Sequence, residues 1–275
     1  MTKGAGAMGI SFTVLSSGST GNATIVRGGG TTLMIDAGLS ARRVEELLTM
    51  RELRGEEIAG ILVTHEHSDH IKGLGAVARK YGLPIYANSG TWSAMEKSIG
   101  NIEEHNRIIL ETGQFKDFGD LRVESFAISH DAAEPVGYNF YEGKDKLSVA
   151  TDLGYVSDKV KAAISDADVL VLEANHDIEM LRMGRYPWNT KRRILGDMGH
   201  LSNDAAGAAL SEILTGRTKR TYLAHLSRDH NMIDLARMSV RGAMEDRGCF
   251  YKDSEFRLCD TYYDQPTPWD TVSES

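Results

Sequence analysis

The amino-acid sequence predicts an α/β protein in which two mixed β-sheets pack face to face and helices cover their outer faces. Short apolar, β-branched stretches fall into two clusters, one in the first third of the chain and one from its middle onward. Helical patterns return after each cluster, which favours two sheets with helices outside. The 275 residues, 41% of them hydrophobic, are enough to bury such a core, and no composition shift marks a linker. We expect one domain over residues 1–262 and a loose polar tail over 263–275.

The elements follow from the spacing of apolar residues. In the first cluster we expect strands at 10–16, 23–28, 32–38, 60–65 and 83–88, with helices at 40–53, 71–82 and 89–99. In the second cluster we expect strands at 121–130, 135–143, 146–154, 168–175 and 221–225, with helices at 156–164, 203–214 and 232–245. The strands therefore fall in two clusters, with helices returning after each.

Charge and composition exclude several classes of protein. The net charge of -8 argues against binding nucleic acid through the whole surface, although it allows a local basic patch. The chain has no run of 18 apolar residues, and its start has one lysine and an apolar stretch too short for a signal peptide, so we expect a cytoplasmic protein without a membrane segment. Cys249 and Cys259 lack metal-site spacing and are expected to be free thiols.

The stretch "VTHEHSDHIKG" places four metal-binding side chains within six residues, after an apolar strand and before a helix: His65, His67, Asp69 and His70. Side chains two apart in an extended turn point the same way, so the first two histidines can converge on one cation. The other two residues then turn toward a second position. Packing so many polar groups without a compensating ion is unfavourable, which makes a metal site the better interpretation than a solvated loop.

This H-x-H-x-D-H motif resembles that of the metallo-β-lactamase superfamily, and the resemblance extends over nearly the whole chain. It implies an αββα sandwich with two divalent cations at the strand ends. The family pattern then implies a bracing role for Asp36, a ligand role for His130 and a bridging role for Asp152. Each of these residues ends an apolar stretch, as a rigid site requires.

The family pattern also needs a last histidine after Asp152, and four follow it in the sequence: His176, His200, His225 and His230. His225 follows the strand-like "TYLA", as the other ligands follow strands, so we assign it to metal. His200 follows a glycine and precedes a helix start, where backbone N–H groups favour an anion. We assign it to the substrate phosphate. His230, like His105, is expected at the surface.

Two further features point to the substrate. Glu173 ends the strand "VLVLE", where it could orient the ring of His200; a solvent-exposed carboxylate at a helix start is the alternative. Residues 182–193 contain five basic residues and no acidic one, with aromatic residues between them. This pattern suits phosphates and bases, although a solvated helix face has the same composition. The substrate-binding candidates here are Arg185, Tyr186, Lys191 and Arg192.

The loop "SSGSTGNAT" between two early strands is the last candidate contact. Its glycines let the backbone approach a ligand closely, and Ser19 and Asn22 can hydrogen-bond to it. A simple hairpin turn explains the same sequence equally well. The loop lacks the G-K-[ST] ending of a phosphate-binding Walker loop.

Taken together, these motifs resemble the YycJ/WalJ branch of the superfamily, which is related to RNase J and RNase Z. The resemblance implies a metal-dependent phosphodiesterase that acts on nucleic acid, with 5′→3′ DNA exonuclease activity as the expected form and DNA favoured over RNA. The interval between Asp152 and His225 leaves no room for the β-CASP insertion of the larger relatives. Any clamping of the substrate must then come from the core domain or from a partner chain.

The expected mechanism uses two divalent cations, Zn²⁺ or Mn²⁺, with Fe also compatible with the ligand set. A hydroxide shared by the cations would attack phosphorus, Asp69 would hold its proton, and His200, steadied by Glu173, would assist the leaving oxygen. The alternatives are an ester or thioester hydrolase such as a lactonase or glyoxalase-II-like enzyme, and a non-catalytic binding protein. The first has no use for Glu173 and His200, and the second would usually have lost ligands.

Overall fold

Two seven-stranded sheets form the centre of the computed structural model, which describes residues 9–273. The first eight residues, to which the expectation about a signal peptide partly refers, lie outside the described part of the chain. The strands of the first sheet are β1 (Ser11–Ser16), β2 (Ala23–Gly28), β3 (Thr31–Ile35), β4 (Gly60–Leu62), β5 (Ile85–Ala87), β6 (Arg107–Ile109) and, from the C-terminus, β14 (Asp270–Thr271). The strands of the second sheet are β7 (Phe115–Phe118), β8 (Leu121–Ala127), β9 (Val136–Glu142), β10 (Asp145–Ala150), β11 (Val169–Glu173), β12 (Arg220–Ala224) and β13 (Arg257–Asp260).

Nine α-helices surround the sheets within residues 9–273. They are α1 (Ala41–Thr49), α2 (Ser68–Ile71), α3 (Leu74–Tyr81), α4 (Ser89–Ile99), α5 (Asp158–Ile164), α6 (Ile178–Met183), α7 (Trp188–Ile194), α8 (Asn203–Ile213) and α9 (Ile233–Glu245). In this described part of the chain, no helix combines the length and apolar character needed to cross a bilayer.

Each sheet has an antiparallel half and a parallel half, so both are mixed sheets. The strand orders are β14-β1-β2-β3-β4-β5-β6 and β13-β12-β11-β10-β9-β8-β7. Strands β3 to β6 are parallel, and β1 runs in their direction because two antiparallel pairings separate it from β3. Strands β10 to β13 are likewise parallel, and β8 runs with them for the same reason. The loops that follow these strands therefore collect at one edge of each sheet.

Three apolar clusters separate the layers. One lies between the sheets and contains Phe12 and Leu33 from the first sheet and Phe140 and Val171 from the second. The other two bury the outer faces, one under helices α1, α3 and α4 and one under α5, α8 and α9. The layer order is helix, sheet, sheet, helix, which confirms the predicted fold class.

One predicted helix, 71–82, is interrupted. Helix α2 ends at Ile71 and α3 begins at Leu74, because Gly73 donates its N–H to Ala37 O at 2.8 Å. A β-carbon at Gly73 would lie 1.9 Å from Leu39 O, so the chain must carry glycine to pass this close to the β3 loop. The break gives α2, which carries part of the histidine motif, an orientation of its own.

The C-terminal segment differs from the loose tail expected from its composition. Strand β14 pairs with β1, and the tail residue Asp270 accepts hydrogen bonds from Arg220 Nε and Tyr222 Oη of β12, both at 2.8 Å. Thr267 is buried and bonds to Thr13 in β1. The segment thus joins one sheet to the other. Its partners lie about fifty or more positions away along the chain, so no local pattern identifies them.

Candidate metal centre

The candidate metal ligands lie where strands of both sheets end. Because these strands run in the same direction within each sheet, their following residues meet at one edge of the sandwich. Six residues reach this edge, each from the end of a different strand. They are Asp36 (β3), His65 (β4), His130 (β8), Asp152 (β10), Glu173 (β11) and His225 (β12). This arrangement is the one that the sequence predicts from the position of each residue after an apolar stretch.

Three of these residues have left-handed backbones. Asp36, Asp152 and His225 have φ values of 57°, 61° and 56°, a conformation that non-glycine residues adopt at a cost of about 1 kcal/mol or more. Each directly follows a strand, except that Thr151 intervenes before Asp152. The turn directs the side chain across the end of the sheet. Such strain persists where surrounding contacts hold the backbone in place. Here those contacts are made by the side chains of the candidate site.

The first group of candidate ligands is His65, His67 and His130, which offer nitrogen atoms within 4.8 Å of one another. Each ring gives one N–H to a protein acceptor. His67 Nε2 donates to Asp131 O at 3.2 Å, and His130 Nδ1 donates to Gly199 O at 3.0 Å. The remaining nitrogens, His67 Nδ1 and His130 Nε2, lie 3.2 Å apart and face the same space.

The second group is Asp69, His70 and His225. Asp69 Oδ2 lies 3.6 Å from His70 Nε2 and 3.4 Å from His225 Nε2. Asp152 stands between the two groups: its Oδ2 is 3.2 Å from His70 Nε2, and its Oδ1 is 3.7 Å from His130 Nε2. The side chains predicted as ligands from the sequence are therefore brought together in two adjoining groups with one carboxylate between them.

Asp36 braces the histidine motif through Thr64. Its Oδ2 accepts hydrogen bonds from His70 Nδ1 at 2.7 Å and from Thr64 Oγ1 at 2.8 Å. Since Thr64 has given its only hydroxyl proton to Asp36, it must accept the bond from His65 Nδ1 at 3.0 Å. One buried carboxylate thus orients two imidazoles and leaves the Nε2 atom of each ring facing the other candidate ligands. Thr64 is a site residue beyond those predicted from the sequence, although its position directly before the histidine motif is a usable signal.

Glu173 is fully buried and accepts four hydrogen bonds. Its Oε2 accepts from the backbone N–H of Leu153 at 2.7 Å and of Leu201 at 3.0 Å. Its Oε1 accepts from His200 Nδ1 at 2.9 Å and from His225 Nδ1 at 2.8 Å. Burial alone would raise the pKa of Glu173, but the attraction and hydrogen bonds of the two histidines outweigh it and lower that pKa to about 2.

The imidazoles of the site differ in their protonation when no cation is bound. Burial holds the pKa of His65 well below its ordinary value, so its ring is neutral. Burial also disfavours charge on His70 and His225, but the carboxylate of Asp152 outweighs it, helped by Asp36 at His70 and by Asp69 and Glu173 at His225. These contacts raise the pKa of His70 well above its ordinary value and that of His225 to about 10. The carboxylates therefore attract positive charge into this site.

The donor set fits divalent cations. His65 Nε2 and Asp152 Oδ2 are buried without any hydrogen-bond partner, although His70 Nε2 lies close to the latter. A buried acceptor without a partner is unfavourable unless an ion or water completes it. Imidazole nitrogens and carboxylate oxygens are the ligands that Zn²⁺ and similar metals prefer. These two unpartnered atoms lie in the space between the two groups of candidate ligands.

His200 stands beside this centre without joining either histidine group. Its ring centroid lies 5.2 Å from that of His225 and 5.0 Å from that of His130. Its backbone N–H donates to Ile194 O at 2.9 Å, and it lies two residues before Ser202, the N-cap of α8. With Nδ1 bonded to Glu173 and the side chain 16% exposed, Nε2 is the nitrogen left for a ligand.

Some of the predicted substrate-binding side chains are exposed, and others are hydrogen-bonded within the protein. Ser19, Arg185 and Arg192 are exposed, and Tyr186 is at the surface with its hydroxyl donating to Asp229 at 3.0 Å. Lys191 is buried, and its Nζ donates to Arg182 O at 2.6 Å. Its ammonium group is therefore engaged within the protein and does not reach the surface, contrary to the sequence-based prediction.

Asn22 is also committed within the protein. Its Oδ1 accepts the N–H of Gly18 at 2.9 Å, its Nδ2 donates to Asp69 O at 3.3 Å, and the same Nδ2 lies 3.1 Å from His70 Nε2. Its backbone N–H donates to Asp69 O at 2.8 Å. The loop "SSGSTGN" thus holds helix α2, and Asn22 braces the histidine motif, where the sequence predicts a direct contact with substrate.

His230 does not lie where the sequence predicts, and Asp131 is an additional residue beside the site. His230 is buried against Tyr186, with ring centroids 4.4 Å apart, so its expected place at the surface is wrong. Asp131 was not predicted; its carboxylate pairs with Arg193 of α7 at 3.2 Å, while its carbonyl holds His67. The basic segment is thereby connected to the first group of candidate ligands.

Comparisons with known proteins agree with this geometry. A model of the beta-lactamase superfamily domain matches residues 31–226. The fold is shared with the metallo-beta-lactamase fold protein YhfI from Bacillus subtilis (TM-score 0.70, 16% identity, 94% of this chain and 99% of that one). It is also shared with the short form of human tRNase Z (TM-score 0.59, 20% identity, 79% of this chain and 93% of that one). At these identities the structures show the fold alone.

Two sequence relatives are much more similar. Exodeoxyribonuclease YycJ of Bacillus anthracis is 54% identical over 260 residues, which cover 94% of this chain and 98% of the relative. Exodeoxyribonuclease WalJ of Streptococcus pneumoniae serotype 2 is 43% identical over 265 residues, which cover 95% and 97%. The chain belongs to the metallo-β-lactamase superfamily and, within it, to the YycJ/WalJ family. This fold implies divalent metal ions at the centre described above.

Proposed function

We propose that the protein is a dinuclear metal-dependent phosphodiesterase that hydrolyses nucleic acid, in the specific form of a 5′→3′ DNA exonuclease. The observation that carries the proposal is His200, held by Glu173 at 2.9 Å beside the two groups of candidate ligands. A second acid–base group at this place suits a phosphodiester, whose leaving oxygen needs a proton. The names of the two similar relatives, both exodeoxyribonucleases, support DNA as the substrate.

The proposed metal ligands follow the two groups. His65, His67 and His130 would hold one cation, Asp69, His70 and His225 would hold the other, and Asp152 would contact both. Support comes from the partnerless atoms His65 Nε2 and Asp152 Oδ2. When bound, such cations lower the pKa of water and neutralise charge on phosphoryl oxygens. Zn²⁺ and Mn²⁺ both suit the mixed nitrogen and oxygen ligands, and Fe is compatible.

The protein's own groups would move the protons. Asp69 is the more exposed of the two carboxylates at the centre, so it can accept the proton of the attacking water. His200 Nε2 would donate to the oxygen that leaves phosphorus. The contact with Glu173 raises the pKa of His200 against the opposing effect of burial, which favours the protonated ring that a general acid requires.

The proposed substrate surface uses Ser19 and the segment of helices α6 and α7. Arg185, Arg192 and Tyr186 are the exposed candidates in that segment, and Trp188 beside them is 66% exposed. Cations there would contact phosphates, and the aromatic faces would stack on bases. The pair of Arg193 with Asp131, whose carbonyl bonds to His67, supports an alignment of this surface with the metal centre.

The proposed site of the reaction is the cytoplasm. The thiols of Cys249 and Cys259 are both free, which fits a reducing compartment.

The test is digestion of end-labelled single- and double-stranded DNA and RNA with Mn²⁺ or Zn²⁺ added. A 5′ label released first as a mononucleotide, with a 3′ label retained on shortening fragments, is the expected pattern. Asp69→Ala should abolish detectable cleavage. His200→Ala should lower the rate ~10²-fold or more, as removal of a group that acts in the transition state does.

A substrate with a good leaving group separates the role of His200 from a merely structural one. Methyl p-nitrophenyl phosphate expels a nitrophenolate that needs no proton, so His200→Ala should lose much less rate on it than on DNA. Equal losses on both substrates would contradict the acid role. Hydrolysis of a lactone or a glutathione thioester with DNA left intact would overturn the proposed function itself.

A further inference from the structure

A cavity of about 300 Å³ lies next to the metal centre, at the same edge of the sandwich. It is formed by the loops that follow strands β1, β12 and β13, which all end on that edge. Its wall begins with Leu226, the residue after His225. Ser17, which also lines the cavity, accepts the backbone N–H of His225 at 2.7 Å. The cavity is therefore adjacent to a proposed metal ligand and can receive a group attached to the reacting phosphate.

The exposed face of this cavity is aromatic and apolar. Tyr263 is 42% exposed and Met232 is 60% exposed, and both line the cavity. The guanidinium carbon of Arg228 lies over the Tyr263 ring, 4.3 Å from its centre. Arg228 makes no ion pair with any residue in the range 9–273. Flat aromatic and guanidinium faces are the surfaces on which nucleobases stack.

Tyr263 is held in place before any ligand arrives. Its backbone carbonyl accepts a hydrogen bond from Ser16 Oγ at 2.8 Å, and the carbonyl of Tyr262 accepts one from Ser17 N at 2.9 Å. A β-carbon at Gly18 would lie 3.1 Å from Leu226 O, so the loops are packed closely against one another. A rigid aromatic platform binds with little loss of entropy.

The charge of the cavity favours a neutral ligand group. Among its lining residues Arg228 is the single cation and Asp264 the single anion, so they cancel. A pocket for a free anion would carry excess positive charge, whereas a base that stacks on an uncharged wall needs none. The polar side chains of Asn231 and Thr261 are bonded to Ala174 O and Leu223 O, which leaves them little capacity to distinguish one base from another.

We propose that this cavity is a nucleotide subsite, in which a base next to the scissile phosphate stacks on Tyr263 and Arg228 contacts the strand. This inference rests on the proposed function and adds to it a way of binding that does not depend on base sequence. The subsite would supply part of the substrate clamping from within the core domain.

The test uses the metal-loaded enzyme and single-stranded oligonucleotides that carry one abasic residue at successive positions from the cleaved end. With the wild type, the abasic residue should raise KM about tenfold at the one position whose base enters the cavity. Tyr263→Ala should raise KM on intact DNA by a similar factor, keep kcat, and lose its response to the abasic residue. Arg228→Ala should also raise KM, and Tyr263→Phe should behave as the wild type.

The control pair is Phe115 and Arg122, an exposed aromatic ring and cation 5.8 Å apart on strands β7 and β8. Phe115→Ala and Arg122→Ala should leave KM unchanged. Methyl p-nitrophenyl phosphate has no base, so every variant should hydrolyse it at the wild-type rate, which also shows that the variants are folded.

The possible failures are distinguishable. If the wild type cleaves DNA but no abasic position changes KM, or if Tyr263→Ala still responds to the abasic residue, the subsite is overturned and the nuclease stands. If the wild type hydrolyses the small diester but no nucleic acid, the proposed function and the subsite are overturned together.

Discussion

His200 and His225 share one hydrogen-bond acceptor: Oε1 of Glu173 lies 2.9 Å from Nδ1 of the first and 2.8 Å from Nδ1 of the second. The sequence analysis assigned Glu173 to His200 alone. The shared oxygen means that one buried carboxylate orients both a proposed proton donor and a proposed metal ligand. Removing it should therefore produce two separate defects.

Glu173→Gln should lower both metal affinity and turnover. A glutamine amide oxygen can replace only part of the acceptor capacity, and loss of an outer partner typically weakens metal binding 10–100-fold. His200→Ala should lower turnover with metal affinity unchanged. Metal titration followed by mass spectrometric metal analysis of both variants checks this difference. If Glu173→Gln and the wild type bind metal with equal affinity, Glu173 does not orient the His225 ring for metal binding.

Thr64→Val should weaken metal binding about tenfold and destabilise the protein. Valine has nearly the shape of threonine but leaves His65 Nδ1 without an acceptor and removes one donor from Asp36. An unsatisfied buried group costs about 1–3 kcal/mol. Urea unfolding of the metal-free protein measures the stability change, and metal titration measures the affinity. Thr64→Ser, which keeps the hydroxyl, is the matched control and should retain both properties.

Metal removal should lower the unfolding temperature. The centre buries carboxylates and imidazoles that a cation pairs, and the folded state holds the complete set of ligands whereas the unfolded chain does not. A ligand at 100 times its Kd stabilises the folded state by about 2.7 kcal/mol. Thermal unfolding with chelator, and then with Zn²⁺ or Mn²⁺ restored, checks this expectation. In the variant Asp152→Ala the shift on adding metal should be much smaller; a shift as large as in the wild type would place the bound metal elsewhere.

Asp270→Asn should destabilise the fold by about 2 kcal/mol without changing the metal centre. Asp270 accepts from Arg220 and Tyr222, and the Arg220 side chain is only 5% exposed, so the pair is largely shielded from water. Asp117→Asn breaks the exposed pair with Arg122 and should change stability by less than about 1 kcal/mol. Urea unfolding of both variants tests the comparison. Equal effects would mean that the tail does not hold the sheets together.

The fold class was predictable because it rests on local periodicity. Strands such as β1, β2 and β12 are short stretches rich in β-branched, aromatic and other apolar residues, and a buried strand has this signature whatever its neighbours are. The superfamily was predictable because H-x-H-x-D-H follows one strand within a few residues. Elements with weaker local patterns were not expected, among them the short strands β6 and β7.

The partners of individual side chains were not predictable in the same way. Lys191 and Asn22 have the composition of ligand-binding residues, yet the fold turns both inward, to Arg182 O and to helix α2. The C-terminal segment has the composition of a loose tail, yet Asp270 finds Arg220 fifty residues earlier. Side-chain direction depends on which backbone passes nearby, and this is a property of the assembled molecule.

The sequence by itself determined the fold class and the superfamily, because each depends on what lies within a few residues of a position. It also predicts different roles for His200 and His225. Only the tertiary structure decided that both histidines donate hydrogen bonds to Glu173. It also decided that Thr64 connects Asp36 to His65 by hydrogen bonds, and that a cavity lies beside His225. These relationships join residues up to about two hundred positions apart, as Ser17 and His225 are. Such contacts form when strands of two sheets end at one edge, and no local pattern records which ends will meet.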